Sequence, residues 1–173
     1  PCCGTAGFLV AAMHHMLEDA GTDATKRKSI KKKQLHGFEL QSNMFAIAAT
    51  NMILRDDGNS NIKCEDFLRQ NPAQVQLKGA TAGMMNPPYS QGTKADPSQY
   101  ELSFVEHLLD SLTEGARAAV IVPQSSMTGK TKDEQSFKES IMKHHTIEGV
   151  ITCNTDTFYG VGTNPVIAIF TTH

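Results

Sequence analysis

Asn86-Pro87-Pro88-Tyr89 is the stretch of this sequence whose residue types could do chemistry. An asparagine side-chain oxygen and the carbonyl of the next residue can both accept hydrogen bonds from one planar NH₂ group. The two prolines fix φ and remove two N–H donors, so the acceptors are held stiffly and without competition. An exocyclic amine on an aromatic base is a poor nucleophile, because its lone pair is delocalised into the ring. Two acceptors outside the ring plane favour a more tetrahedral nitrogen with a localised lone pair. Tyr89 adds a ring able to stack on a base. Four residues alone also suit a Pro-Pro turn with an incidental aromatic, so the elements around them must decide.

Four other places carry groups of the right type. "CGTAGF", residues 3–8, sets Gly4 and Gly7 just before a helical pattern, where free N–H groups and close backbone approach suit a ligand. An ordinary strand-to-helix turn has the same look. Glu39 and Asp66 each stand at the end of a short strand pattern. A carboxylate at the end of a strand can accept both hydroxyls of a ribose. Asp66 could accept from an exocyclic amine, with Phe67 against a ring, or could simply form a turn. Late in the chain, "TFYGVGTNP" offers Phe158 and Tyr159 beside a Gly-rich loop, either as a stacking partner for a base or as partly buried hairpin aromatics.

The elements that would position these groups alternate. Helical spacing runs over residues 6–19, with Phe8, Leu9, Ala12, Met13 and Met16 on one face. Residues 25–34 read as a basic linker, more a solvated loop than a phosphate contact. Strand patterns cover 35–40, 61–68, 81–85, 117–124, 146–153 and 165–172. Helices are expected at 42–54, capped by Ser42 and ended by the Asp-Asp-Gly at 56–58, and at 98–112 and 133–145. This order implies an α/β fold, with a mostly parallel sheet and helices on both faces. No helix fits between the last two strands, so the final one should be antiparallel. In such sheets ligands sit beyond the carboxyl ends of the strands, which selects residues 1–7, Glu39, Asp66 and the Asn86 corner.

Composition narrows the class. The 173 residues suffice for one domain with a core, and their mixed charge is that of a globular chain. A net charge of −2 argues against gripping nucleic acid by bulk charge. No apolar run approaches the ~20 residues that cross a bilayer, so no membrane association is expected. The four cysteines show no CxxC spacing and read as reduced thiols of a cytoplasmic protein. His14-His15 and His144-His145 lack a third ligand, and no metal is expected. The chain opens at Pro1 on what reads as a post-strand turn, which suggests a fragment with a truncated first strand. An edge left unpaired there would suit another copy of the chain.

"PCCGTAGFL", "GFEL", "IKCEDFL", "MNPPYS", "AAVIVPQ" and "DTFYGVGTNPVIAIF" occur in the order found in N6-adenine DNA methyltransferases. The chain most resembles the methylation subunit of type I restriction–modification systems, over essentially its whole length. The resemblance implies a Rossmann-like fold binding S-adenosylmethionine (SAM), with all of 1–173 in the catalytic domain. It implies Gly4, Thr5 and Gly7 near the amino-acid part of SAM, Glu39 on its ribose, and Asp66 and Phe67 at its adenine. Asn86, Pro87, Pro88 and Tyr89 match the catalytic motif, with Asn86 also at the cofactor, and Phe158 matches the aromatic that supports the target base. Double-stranded DNA and the specificity and restriction subunits are the implied partners. The sequence departs from the family where Ala6 stands at a glycine position. N4-cytosine, another planar amide or amine, or an inactive assembly role are the alternatives. Pro1-Cys2 also resembles the Pro-Cys nucleophile of C5-cytosine methyltransferases, but a thiolate of that kind would belong at the strand end occupied by Asn86, so Cys2 reads as a turn residue.

Overall fold

The computed structural model describes residues 1–56, 61–93, 95–154, 157–158 and 164–173. They form two compact units, Pro1–Arg69 and Gln70–His173.

The first unit begins with α1 (Gly7–Asp19), whose apolar stripe turns inward as its spacing predicts. Met13 is buried there with Ala6, Leu35, Ala48 and Met52, and Leu9, Ala12, Met16 and Ile62 pack against them. Residues 24–34 are not a linker. They form α2 (Ala24–Ser29) and a π turn, Ile30–Gln34. The Asp23 carboxylate caps α2 by accepting from the amides of Thr25 and Lys26. Ile30 is buried, which ties the basic run to the unit. Two of its cations are used internally: Arg27 donates to the carbonyls of Leu17 and Gly21, and Lys31 bridges to Asp56 at 2.9 Å. The lysine pattern masked the cap and the single inward isoleucine.

β1 (His36–Phe38) leads to α3 (Ser42–Ile53) and then to β2 (Asn61–Lys63), which pairs with β1 in parallel. Ser42 does not cap α3. The capping position is Gln41, without a side-chain cap, and the Gln41 amide donates instead to Glu39. Of the stop signal at 56–58, only Asp56 lies among the described residues.

In the second unit α4 (Pro72–Gln76), capped by Asn71, precedes β3 (Ala82–Met85) and α5 (Glu101–Asp110). β4 (Arg117–Pro123), α6 (Gln124–Thr128), α7 (Lys132–His144), β5 (His145–Thr152) and β6 (Pro165–Thr172) follow. The sheet order is β3-β4-β6-β5. β3 and β4 are parallel, and β6 runs antiparallel to both β4 and β5, as its short connection requires. Three of the four strands therefore point one way. α5 packs on β3, β4 and β6 and buries Leu102, Phe104, Val105, Leu108 and Leu109. Thr131 and Glu134 close a reciprocal capping box at the start of α7. No helix among the described residues is long and apolar enough to cross a membrane.

Candidate functional site

In the first unit the turn before α1 takes an alternating backbone. Cys2, Gly4 and Ala6 have φ of 48°, 53° and 67°. The amides of this turn are used within the unit: Cys3 donates to the Phe38 carbonyl, Ala6 to the Cys3 carbonyl and Gly4 to Glu39. Ala6 holds its positive φ without being glycine, the residue that adopts that conformation most readily. A Cβ added at Gly4 or Gly7 would meet nothing within 4 Å, so the space beside both is open. Among the described residues no side chain caps α1, and no acidic residue lies in its first turn, so the positive end of the helix suits an anionic ligand.

Glu39 follows β1 directly and is 8% exposed. Its Oε2 accepts from the Gly4 amide and its Oε1 from the Gln41 amide, both at 2.9 Å. The carboxylate thus joins the Gly turn to the end of β1, and each oxygen keeps a lone pair. Asp66 lies three residues past β2. Its Oδ1 accepts from the Leu68 amide at 3.0 Å, and its Oδ2 lies 3.4 Å from Arg69 Nε. It therefore forms the turn that the plainer reading of the sequence expects, and that turn presents Phe67. The Phe67 ring packs on Phe38 at 5.4 Å between centroids and is buried. Thr5 is exposed, and its carbonyl accepts from the Asn51 side chain at 2.9 Å. Burial pushes the Cys2 thiol up to about 11, with Glu39 adding to the shift. A thiol of that kind is protonated at neutral pH and is no nucleophile.

These residues accommodate SAM in kind. They offer an open, uncapped helix start for a carboxylate, a strand-end carboxylate for hydroxyls, and a buried aromatic beside a turn.

In the second unit the Asn86 corner stands immediately after β3, at the carboxyl end of a strand paired in parallel with β4. Asn86 Oδ1 is buried and has no hydrogen-bond partner among the described residues. A buried acceptor left unpaired costs ~1–3 kcal/mol, and native structures carry few of them. Pro87 is buried and Pro88 exposed. Tyr89 is half-buried; its hydroxyl reaches the Ile121 carbonyl only at 3.5 Å. Burial, followed by Glu101 and Cys153, pushes its phenol up to about 12. The Tyr89 and Phe158 rings meet edge to face, centroids 6.4 Å apart and planes at 75°. Two aromatics separated by 69 positions in the chain thus share the corner. Tyr159 lies outside the described residues.

One functional neighbour escaped the sequence reading. Glu101, the first residue of α5, accepts from the Ser90 amide at 2.7 Å, just past Tyr89. Nothing in the local sequence marks it, because helix-opening glutamates are ordinary.

A family model for N-6 DNA methylase matches residues 1–173. The chain belongs to the N-6 DNA methylase family. It is 46% identical over 172 residues to the type II restriction enzyme and methyltransferase RM.BcgI of Heyndrickxia coagulans, covering 98% of this chain and 27% of that protein. It is 24% identical over 188 residues to the EcoKI type I methylase subunit of Escherichia coli K12, covering 99% of this chain and 35% of that subunit. The chain therefore spans about a quarter to a third of the length of these relatives. The crystal structure of the EcoKI M protein matches with a TM-score of 0.85 at 22% identity, over 99% of this chain and 38% of that one. A nuclease-deletion form of the type ISP enzyme LlaGI, solved with a DNA substrate mimic, matches at 0.73 and 16% identity, over 99% and 23%. At these identities the solved structures establish the fold, a Rossmann-like methyltransferase fold.

Proposed function

We propose that this chain is the catalytic part of a site-specific DNA methyltransferase that transfers a methyl group from SAM to the N6 amine of an adenine. Both units are read as parts of one catalytic domain. The observation that carries the reading is the buried Asn86 Oδ1 at the end of a strand, unpartnered among the described residues, in a family of N-6 methylases. An acceptor maintained at a stability cost suits a donor that arrives with the substrate.

The target base would leave the stack, since its amine cannot be reached within a duplex. Asn86 Oδ1 and the Pro87 carbonyl would accept the two N6 hydrogens, with the prolines holding both acceptors still. Tyr89 would stack on the base, supported from the side by Phe158. When bound, SAM supplies an electrophilic methyl on a sulfonium that leaves as a neutral thioether. Gly4, Thr5 and Gly7 would hold its amino-acid part, Glu39 its ribose, Asp66 and Phe67 its adenine, and Asn86 would border the methyl. The chain's contribution is positioning and polarisation, and the methylated nitrogen loses its extra proton without needing a strong base. The fitting partners are double-stranded DNA and the specificity and restriction subunits of a type I system, working in the cytoplasm. A second copy of the chain could pair on an open sheet edge.

The test is product analysis. The intact protein, with any subunits it needs, is incubated with labelled SAM and DNA from a methylation-deficient strain. N6-methyladenine is expected, and its loss in Asn86→Ala with SAM binding retained. N4-methylcytosine as the product, or full activity in Asn86→Ala, overturns the reading.

A further inference from the structure

We infer that Glu101 is a positioning residue for the Asn86–Tyr89 corner, holding it through the backbone of Ser90. The inference rests on the proposed methyl-transfer role of that corner and adds a residue to it.

The corner must be held at both ends. On the entering side β3 is anchored to β4, Met85 opposite Val120. On the leaving side stands Ser90, a non-glycine residue at φ 57°. That conformation is uncommon and costs stability, so the surroundings must impose it. Glu101 Oε1, 2.7 Å from the Ser90 amide, does so. Its side chain is nearly inaccessible at 7% exposure, and its Oε2 lies 3.5 Å from the Ser126 hydroxyl on α6. The carboxylate therefore ties together three segments: the corner's exit, the start of α5 and the helix after β4. The positive end of α5 favours a carboxylate there.

A neighbouring contact fastens the same point. A Cβ at Gly92 would collide with the Tyr100 ring and lie 2.7 Å from the Tyr100 amide nitrogen. Residues 90 and 92 are thus seated on 101 and 100. Between them the amides of Thr93 and Asp96 donate to each other's carbonyls and close the loop. Among the described residues Asn86 Oδ1 has no hydrogen-bond partner that would orient it. Its aim follows from the backbone of the corner, and Glu101 is the buried polar group that fixes the exit of that backbone. Methyl transfer is sensitive to displacements well below an ångström.

The prediction separates reach from charge. Glu101→Gln keeps an acceptor for Ser90 and a donor for Ser126. Glu101→Asp keeps the charge but draws it back by a methylene. In the intact protein, with DNA from a methylation-deficient strain, Glu101→Gln should keep kcat within about threefold of wild type. Glu101→Asp and Glu101→Ala should lower kcat about 10- to 100-fold, with the KM for SAM within twofold. Hydrogen exchange at the Ser90 amide should quicken in Asp and Ala but not in Gln. If Glu101→Ala does not fold, the Asp and Gln variants decide. An active Asp variant beside a dead Gln variant would assign a charge role and overturn positioning. Wild-type rates in all three overturn it too. Neither result touches the role of Asn86, which fails separately if Asn86→Ala methylates normally.

Discussion

The Gly4 amide lies 2.9 Å from Glu39 Oε2, so a turn before a helix and the end of a strand 35 residues later are held by one carboxylate. The other oxygen of Glu39 holds the Gln41 amide. Two backbone donors thus converge on a nearly buried side chain that is also the proposed ribose acceptor. Glu39→Gln removes one acceptor and confronts an amide donor with another. The expected result is a loss of ~1–3 kcal/mol in unfolding free energy, seen by denaturant titration. SAM affinity should fall about tenfold or more by calorimetry. An unchanged SAM affinity beside reduced stability would make Glu39 a turn residue only.

Asn86 should behave in the opposite sense. Its Oδ1 is buried without a partner among the described residues, so truncation removes an unsatisfied acceptor. Asn86→Ala is expected to leave the unfolding free energy unchanged or higher by up to about 1 kcal/mol, while methylation falls by ~10²- to 10³-fold. A destabilised variant would mean that the oxygen is satisfied in the folded protein.

Cys2 gives a prediction free of any assay for activity. Burial first, then nearby negative groups including Glu39, pushes its thiol up to about 11, whereas Cys64 is exposed. Alkylation by iodoacetamide requires the thiolate. At pH 8 Cys64 should label at least tenfold faster than Cys2 by peptide mapping, and the Cys2 rate should keep rising with pH towards 11. Fast labelling of Cys2 at pH 7 would revive it as a nucleophile.

The fold was legible where burial and chain direction act together. The apolar run at 117–124 becomes β4, the breakers after Met85 end β3 at Asn86, and β6 is antiparallel, as the short, Gly-rich sequence before residue 165 implies. The basic run misled because charge describes the solvent face only. Asp23 and Ile30, which make it helical and anchor it, are single residues in a lysine-rich stretch. Ser42 misled because Glu39, three residues earlier, satisfies the Gln41 amide just before α3. The candidate site divides in the same way. The Asn86 motif is contiguous and therefore readable. The Tyr89–Phe158 contact and the Glu101 brace join distant positions that no local pattern links.

Arg27 and Lys31 are committed within the first unit, so any contact of the basic helix with phosphates must use other lysines. Lys32→Gln with Lys33→Gln removes two exposed cations and leaves the Lys31–Asp56 bridge intact. If these lysines touch DNA, the slope of log binding constant against log salt should fall by about 2. An unchanged slope assigns them to solvent.

Tyr89 should act through its ring. The hydroxyl's one described hydrogen bond, to Ile121, is at the 3.5 Å limit, while the ring meets Phe158 edge to face. Tyr89→Phe is expected to keep methylation within about threefold, and Tyr89→Ala to lose most of it, since base–aromatic stacking is worth ~1–3 kcal/mol. Burial chiefly raises the phenol from its ordinary 10 to about 12, so it stays protonated through the working range. The rate should show no Tyr89 titration between pH 7 and 9.5. The sign for stability follows. The folded pKa exceeds the unfolded one, so the stabilising contribution is complete below pH 10 and is lost as pH rises from 10 to 12. Tyr89→Phe should remove that part of the alkaline loss in denaturant titrations run across pH 9 to 11.5. A Phe variant with the wild-type profile and a dead enzyme would show instead that the hydroxyl contacts the substrate.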